Sequence, residues 1–179
     1  MKRVTLSLAL SLFAVPAFGQ AAAAPVTGVG TAKSIWEMNI NYVTKSAEQM
    51  SEADYAYKPV ATVRSFGQLI GHVAGSQYMF CAAALGEAPK AEDDIEKSVT
   101  TKAGLVAALK ASTDYCKRAY AISDAQASGT MKLFGQENSK MFALMLNASH
   151  DGEHYGNIVT YMRMKAMVPP SSQPQSGGM

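Results

Sequence analysis

The sequence predicts an all-α protein: a four-helix bundle with a long crossover between its second and third helices, running up-down-down-up. Three observations carry this. Four segments show apolar residues recurring every three or four positions, no segment shows convincing strand alternation, and the connection over residues 86–100 is long enough to cross a bundle. With 48% hydrophobic residues in a chain of 179, there is material for one core of ordinary domain size.

The first helix is expected from Thr31 to about Met50, where Trp36, Ile40, Val43, Ala47 and Met50 line one face. Ser51-Glu52-Ala53-Asp54 reads as a short turn, and Tyr55 to Pro59 as an extended linker, because a residue before proline avoids the helical region. Ser65 can cap the second helix, which runs to about Leu85 and stops at Gly86 and Pro89. Its stripe is Phe66, Ile70, Val73, Gln77 and Ala84 with Phe80 alongside, and His72 stands at the border, able to turn inward. Glu92, Asp93, Asp94 and Glu96 lack the spacing and glycine of an EF-hand and read as a solvated connection.

Thr100 or Thr101 can cap the third helix, which reaches about Ile122 with Val106, Leu109, Thr113, Cys116 and Tyr120 on one side. Residues 123–136, containing Gly129 and Gly135, form a longer connection. The fourth helix follows from about Glu137 to Lys165. Residues 169–179, rich in Pro, Ser and Gly, read as a disordered or surface-hugging tail, leaving residues 24–168 for the bundle.

The N-terminus has the three-part form of a secretory signal: Met1-Lys2-Arg3, an apolar run from Val4 to Phe18, then small residues to Ala24. The run falls short of the ~20 residues that span a bilayer. Cleavage between residues 19 and 24 would release an exported, periplasmic or secreted protein with no membrane anchor. Removing Lys2 and Arg3 from the 16 basic residues leaves 14, against 14 acidic ones. A neutral chain with dispersed charge does not suit phosphate neutralisation, which argues against a nucleic-acid partner. The two cysteines, Cys81 and Cys116, are either one disulfide or two buried thiols. If the second and third helices run parallel, the two stand at similar heights.

The chemistry concentrates in Ser149-His150-Asp151-Gly152-Glu153-His154, which holds two of the three histidines. Four residues apart on a helix of about 3.6 residues per turn, both imidazoles share one face. If His72 faces them across the bundle, three neutral imidazoles can bind a divalent ion such as zinc and leave positions open for water or substrate. The competing reading is a chance pair of hydrogen-bonded histidines. Asn147, Asn157 and Tyr161 fall near the same face, and a polar strip between apolar flanks needs partners when buried. Gly152 and Gly156 lie off that face and suit a close helix approach. Of the eleven methionines, Met141 and Met145 are spaced as helix packing, so core filling is favoured over a copper site.

The chain resembles the DinB-like superfamily of metal-binding four-helix bundles, which includes the bacillithiol transferases and, as relatives, the mycothiol-dependent maleylpyruvate isomerases. The matching pieces are Phe66-Gly67-Gln68-Leu69-Ile70-Gly71-His72-Val73-Ala74, the run from Asn147 to Asn157, the Tyr57-Lys58-Pro59 linker and the closing Val168-Pro169-Pro170-Ser171-Ser172. The resemblance implies a divalent metal on His72, His150 and His154, zinc first and nickel, manganese or iron as alternatives. It also implies parallel second and third helices and, frequently, a homodimer. Many members carry a histidine and an arginine after the last ligand, where this chain has Tyr155 and Gly156, and Asn157 replaces a common glutamine. Roles are not carried to those positions.

Three functions compete. The first is a metal-dependent transferase that activates a thiol or water for a small-molecule electrophile; export weighs against the thiol version, whose cofactors are cytosolic. The second is a hydrolase, since His150-Asp151-Gly152-Glu153-His154 is similar to the zincin pattern with aspartate in the glutamate position and Glu153 as another candidate base. The third is a non-catalytic metal-binding or stress-related protein.

Overall fold

The computed structural model describes residues 26–174. The expected signal peptide, residues 1–23, lies outside these, as do residues 175–179 of the tail. Four long helices form the bundle: α1 (Gly28–Gln49), α2 (Phe66–Leu85), α4 (Lys102–Ala119) and α6 (Lys140–Met164). Two short helices, α3 (Asp94–Ser98) and α5 (Asp124–Ala127), lie in the connections. No helix among the described residues is long and apolar enough to cross a membrane.

Local chemistry sets the helix ends. Ser65 and Gln68 form a reciprocal capping box at the start of α2, each side chain answering the other's backbone N–H. Gly86 closes the same helix at φ 74°, a left-handed conformation that glycine adopts without a Cβ clash. Thr101, the second of the two expected caps, accepts from Gly104 N and starts α4. The expected stripes are the observed core: Trp36, Val43, Ala47, Phe66, Ile70, Val73 and Leu109 are all buried.

Helix directions follow from which residues meet. Between α2 and α4 the pairings rise together, from Gly67 against Leu105, through the Gln77–Ser112 hydrogen bond, to Cys81 joined to Cys116, so these helices run the same way. Between α1 and α6 they also rise together, from Asn39 on the Ala148 carbonyl to Tyr42 stacked on Tyr155. Between α2 and α6 they fall, Phe80 meeting His150 and His72 meeting His154. A disulfide joins Cys81 and Cys116, with Cα atoms 5.3 Å apart. Of the two readings for the cysteines, the structure adopts the disulfide.

Several expectations need correction. The connection before the last long helix contains an antiparallel hairpin, β1 (Thr130–Leu133) and β2 (Gln136–Ser139), paired from Thr130↔Ser139 to Leu133↔Gln136. Its two-residue turn, Phe134-Gly135, has φ 52° and 76°, and the strands are too short for alternation to show. The last helix therefore begins at Lys140, capped by Ser139, instead of near Glu137. Met145 is 57% exposed and does not fill the core. Of the two readings for the tail, residues 169–174 take the surface-hugging one: Pro170–Ser172 form a 3-10 turn, Pro170 is buried, and the Tyr155 hydroxyl donates to Ser171 Oγ at 2.8 Å. The acidic connection is not simply solvated, because it packs against α2 beside His72.

Candidate metal centre

His72 on α2 and His150 and His154 on α6 converge: each offers a ring nitrogen, and these atoms all lie within 4.8 Å of one another. The three expected ligands are thus brought together. His150 Nε2 and His154 Nε2 are 3.0 Å apart, the consequence of four-residue spacing on one helix face. His72 and His154 are only 6% and 7% exposed.

Burial sets the charge state. Desolvation pushes His150 down to about 3 and His154 down to about 4, with neighbouring histidines adding to the effect. His72 is also lowered, first by burial and then by the Arg64 guanidinium. All three are neutral imidazoles near pH 7, the form that binds a metal.

The surroundings lack the partners that a purely hydrogen-bonded cluster would have. Nδ1 of His72 and Nδ1 of His150 are buried without a hydrogen bond. The Asn157 amide lies 3.3 Å from His154 Nδ1, which leaves Nε2 as the nitrogen facing the cluster. Two carboxylates flank His72, Glu92 Oε1 at 3.7 Å from Nε2 and Glu96 Oε2 at 3.6 Å from Nδ1, both beyond hydrogen-bond range. Convergent neutral nitrogens, orphaned ring atoms and nearby carboxylates fit a divalent cation, and three imidazoles suit zinc and its neighbours.

Glu92 and Glu96 are half-buried instead of solvated, and the reason lies in α2. A Cβ on Gly75 would sit 1.8 Å from the Glu92 carbonyl oxygen, and one on Gly71 would sit 2.9 Å from Glu96 Cα. Two glycines one turn apart, on either side of His72 in sequence, let the crossover lie directly on the helix. That spacing was visible in the sequence as a sign of close backbone approach. Gly152 likewise admits Asn39, whose amide a Cβ would meet at 2.8 Å, whereas Gly156 has open space and serves no approach.

A cavity of about 780 Å³ opens beside the cluster, walled by the 58–64 linker, the start of α2 and one face of α6; His154, Asn157, Tyr161, Arg64 and Glu96 are in its wall. Tyr161 donates to the Arg64 carbonyl at 2.6 Å and pins the linker over the opening. Arg64 Nε contacts both Glu96 oxygens at 3.1 Å. Asn157 and Tyr161 thus stand where their helical positions put them. Asn147 does not: it is in the core, donating to the Tyr120 hydroxyl at 3.2 Å.

Asp151 is fully buried, neither of its oxygens has a hydrogen-bond partner, and desolvation raises its carboxyl far above the usual range. Glu153 is exposed on the outer side of the helix. Neither acid is held against the imidazoles, so the zincin-like arrangement of base and ligands is not formed.

The family model of the DinB superfamily matches residues 35–158, more than half of the chain and all three histidines. The chain belongs to the DinB superfamily. Solved structures share its fold: a DinB-like protein of Bacillus subtilis, 22% identical, superposes with a TM-score of 0.64 over 81% of this chain and 99% of the other. YfiT from Bacillus subtilis, described as a probable metal-dependent hydrolase with an unusual four-helix bundle topology, is 15% identical, with a TM-score of 0.61 over 78% of this chain and 89% of its own. The mycothiol-dependent maleylpyruvate isomerase is 14% identical, with a TM-score of 0.63 over 75% of this chain and 63% of its own. At these identities the likeness to this DinB member is one of fold. No curated protein matches the sequence.

Proposed function

We propose that this DinB protein is exported, holds one divalent ion, zinc in first place, on His72, His150 and His154, and acts on a small molecule as a metal-dependent transferase or hydrolase. The observation that carries the reading is the convergence of three neutral imidazoles beside an open cavity, with His154 in its wall. A bound divalent ion would supply Lewis acidity, lowering the pKa of a coordinated water or thiol toward neutrality.

The chain's own groups orient and admit. Asn157 fixes the ring of His154 through Nδ1, and Glu96 stands where its carboxylate can accept a hydrogen bond from His72 Nδ1–H once that ring is a ligand through Nε2. Arg64 and Lys58 give the mouth of the cavity positive charge facing Glu96. The signal-like residues 1–23 support export, and export favours water over a cytosolic thiol as the activated group.

Elemental analysis of the purified mature protein tests the reading, with His72→Ala and His150→Ala alongside. About one equivalent of metal is expected in the parent, and full stoichiometry in both variants would overturn the proposal. A non-catalytic metal-binding role is the second reading, favoured by the sealed position of Asp151 and the exposed one of Glu153. It predicts metal content without turnover of electrophilic or hydrolysable small molecules.

A further inference from the structure

Four protein groups, not three, face the metal position. Glu92 Oε1 lies 3.7 Å from His72 Nε2 and 3.9 Å from His150 Nε2, so one carboxylate oxygen addresses two candidate ligand nitrogens on two different helices. Neither distance is a hydrogen bond, so the imidazoles do not hold the carboxylate. Ser76 does, donating its hydroxyl to the same Oε1 at 2.6 Å from one turn beyond His72 on α2. Atoms sharing an ion at about 2.0–2.1 Å are themselves separated by roughly 3 Å. Glu92 Oε1 is therefore within about an ångström of a coordinating position.

The backbone is built to bring it there. Glycine is a poor helix former, yet Gly75 stands inside α2, and the Glu92 carbonyl occupies the space a Cβ would need. The direction of approach also matters. His154 is in the cavity wall and Glu92 is not. A carboxylate arriving by the Gly75 route leaves the cavity side of the ion free for water or substrate, as catalytic sites that expand their coordination require.

We propose that Glu92 is a fourth protein ligand of the metal, delivered by the crossover through the gap at Gly75 and held in place by Ser76. The inference rests on the three-histidine metal reading above and adds to it a ligand from outside the two histidine-bearing helices.

The test uses the full mature chain loaded with cobalt(II), whose visible absorption reports coordination, and zinc affinity measured by chelator competition. The variants are Glu92→Gln, which keeps an oxygen for Ser76 and so keeps the crossover seated, Glu92→Ala, and His154→Ala. Both Glu92 variants are expected to bind zinc about 10- to 100-fold more weakly and to change the intensity and position of the cobalt bands. His154→Ala is expected to lose cobalt altogether. An unchanged cobalt spectrum in Glu92→Gln, with or without weaker affinity, would overturn direct ligation by Glu92. If His154→Ala bound cobalt as the parent does, the three-histidine reading itself would fail, which separates the two failures.

Discussion

Two stretches of buried polar side chains share the same helices and are built on opposite terms. Around Gln77 the groups answer one another: Trp36 Nε1 donates to Gln77 Oε1 at 2.9 Å, Gln77 Nε2 donates to Ser112 at 2.9 Å, and Tyr120 donates to the Leu144 carbonyl at 2.8 Å. The disulfide lies beside them, with Asn147 Nδ2 3.8 Å from Cys81 Sγ. Around His72, less than two turns away, ring nitrogens point at one another and the carboxylates stand just out of hydrogen-bond reach. A buried network whose donors are answered adds rigidity and, Asn147 Oδ1 apart, has little left to bind. One whose donors and acceptors converge without closing is arranged for something absent from the chain.

Breaking the closed stretch should have the largest effect on folding. The Cys81–Cys116 separation is 35 residues, so a Cys81→Ala/Cys116→Ala variant should lose about 3–4 kcal/mol of stability. Urea denaturation reads the loss, and an unchanged metal content in the folded variant would show that the two stretches are separable. Acidification acts on the open stretch instead. Protons compete with metal only below the folded pKa values of the ligands, which burial pushes to about 3 for His150 and about 4 for His154. Proton competition at His150 and His154 should therefore be nearly absent from pH 8 to about 5, then weaken binding about tenfold per pH unit for each of the two once protonated, while His72, lowered by burial, sets how early the fall begins. A steep fall already at pH 6–7 would mean that the cluster is solvated.

The metal-free protein carries its own pH signature. These folded values lie below the ~6.5 of an unfolded histidine, so the unfolded chain takes up protons first. The contribution is fully present above ~6.5 and stability declines as pH falls from there toward 4.

Smaller effects sharpen the contrast. Gly75→Ala drives a methyl into the Glu92 carbonyl and should cost about 1–3 kcal/mol, weakening metal binding as the crossover is displaced. Gly156→Ala, with nothing within 4 Å, should instead stabilise by roughly 0.5–1 kcal/mol and leave the metal alone. Thermal unfolding with and without zinc distinguishes the two. Asp151→Asn probes the one carboxyl that neither stretch answers. Its folded pKa is raised, so the parent loses stability as pH rises above the unfolded ~3.9 toward that value, and the amide should gain on the order of 1 kcal/mol at pH 8. Equal stabilities of the two proteins across pH 5–8 would contradict the burial of this group.

The helices were legible because each rests on local signals: the Ser65 and Thr101 caps, Gly86, and apolar stripes such as Trp36-Ile40-Val43. The histidine set was legible because two members share a helix and only one other histidine exists. The short strands at 130–139 were not, since four residues hold too few alternations and their turn uses Phe134 before Gly135. Glu92, Glu96, Ser76 and Arg64 were not either. Their roles depend on where the crossover lands on α2, and the acidic run looks the same whether it faces water or His72. Gly71 and Gly75 held that information as paired absences of side chain.

The disulfide has one more effect. Cys81 and Cys116 close a covalent ring around the whole crossover, including the exposed stretch from Glu87 to Ala91 and the carboxylates that follow it. A protease that nicks this stretch cuts the polypeptide without releasing a fragment. On a denaturing gel the nicked protein would run as one band until a reductant is added, then as two. For the exported protein proposed above, an exposed segment is thereby one whose cleavage leaves the two halves joined.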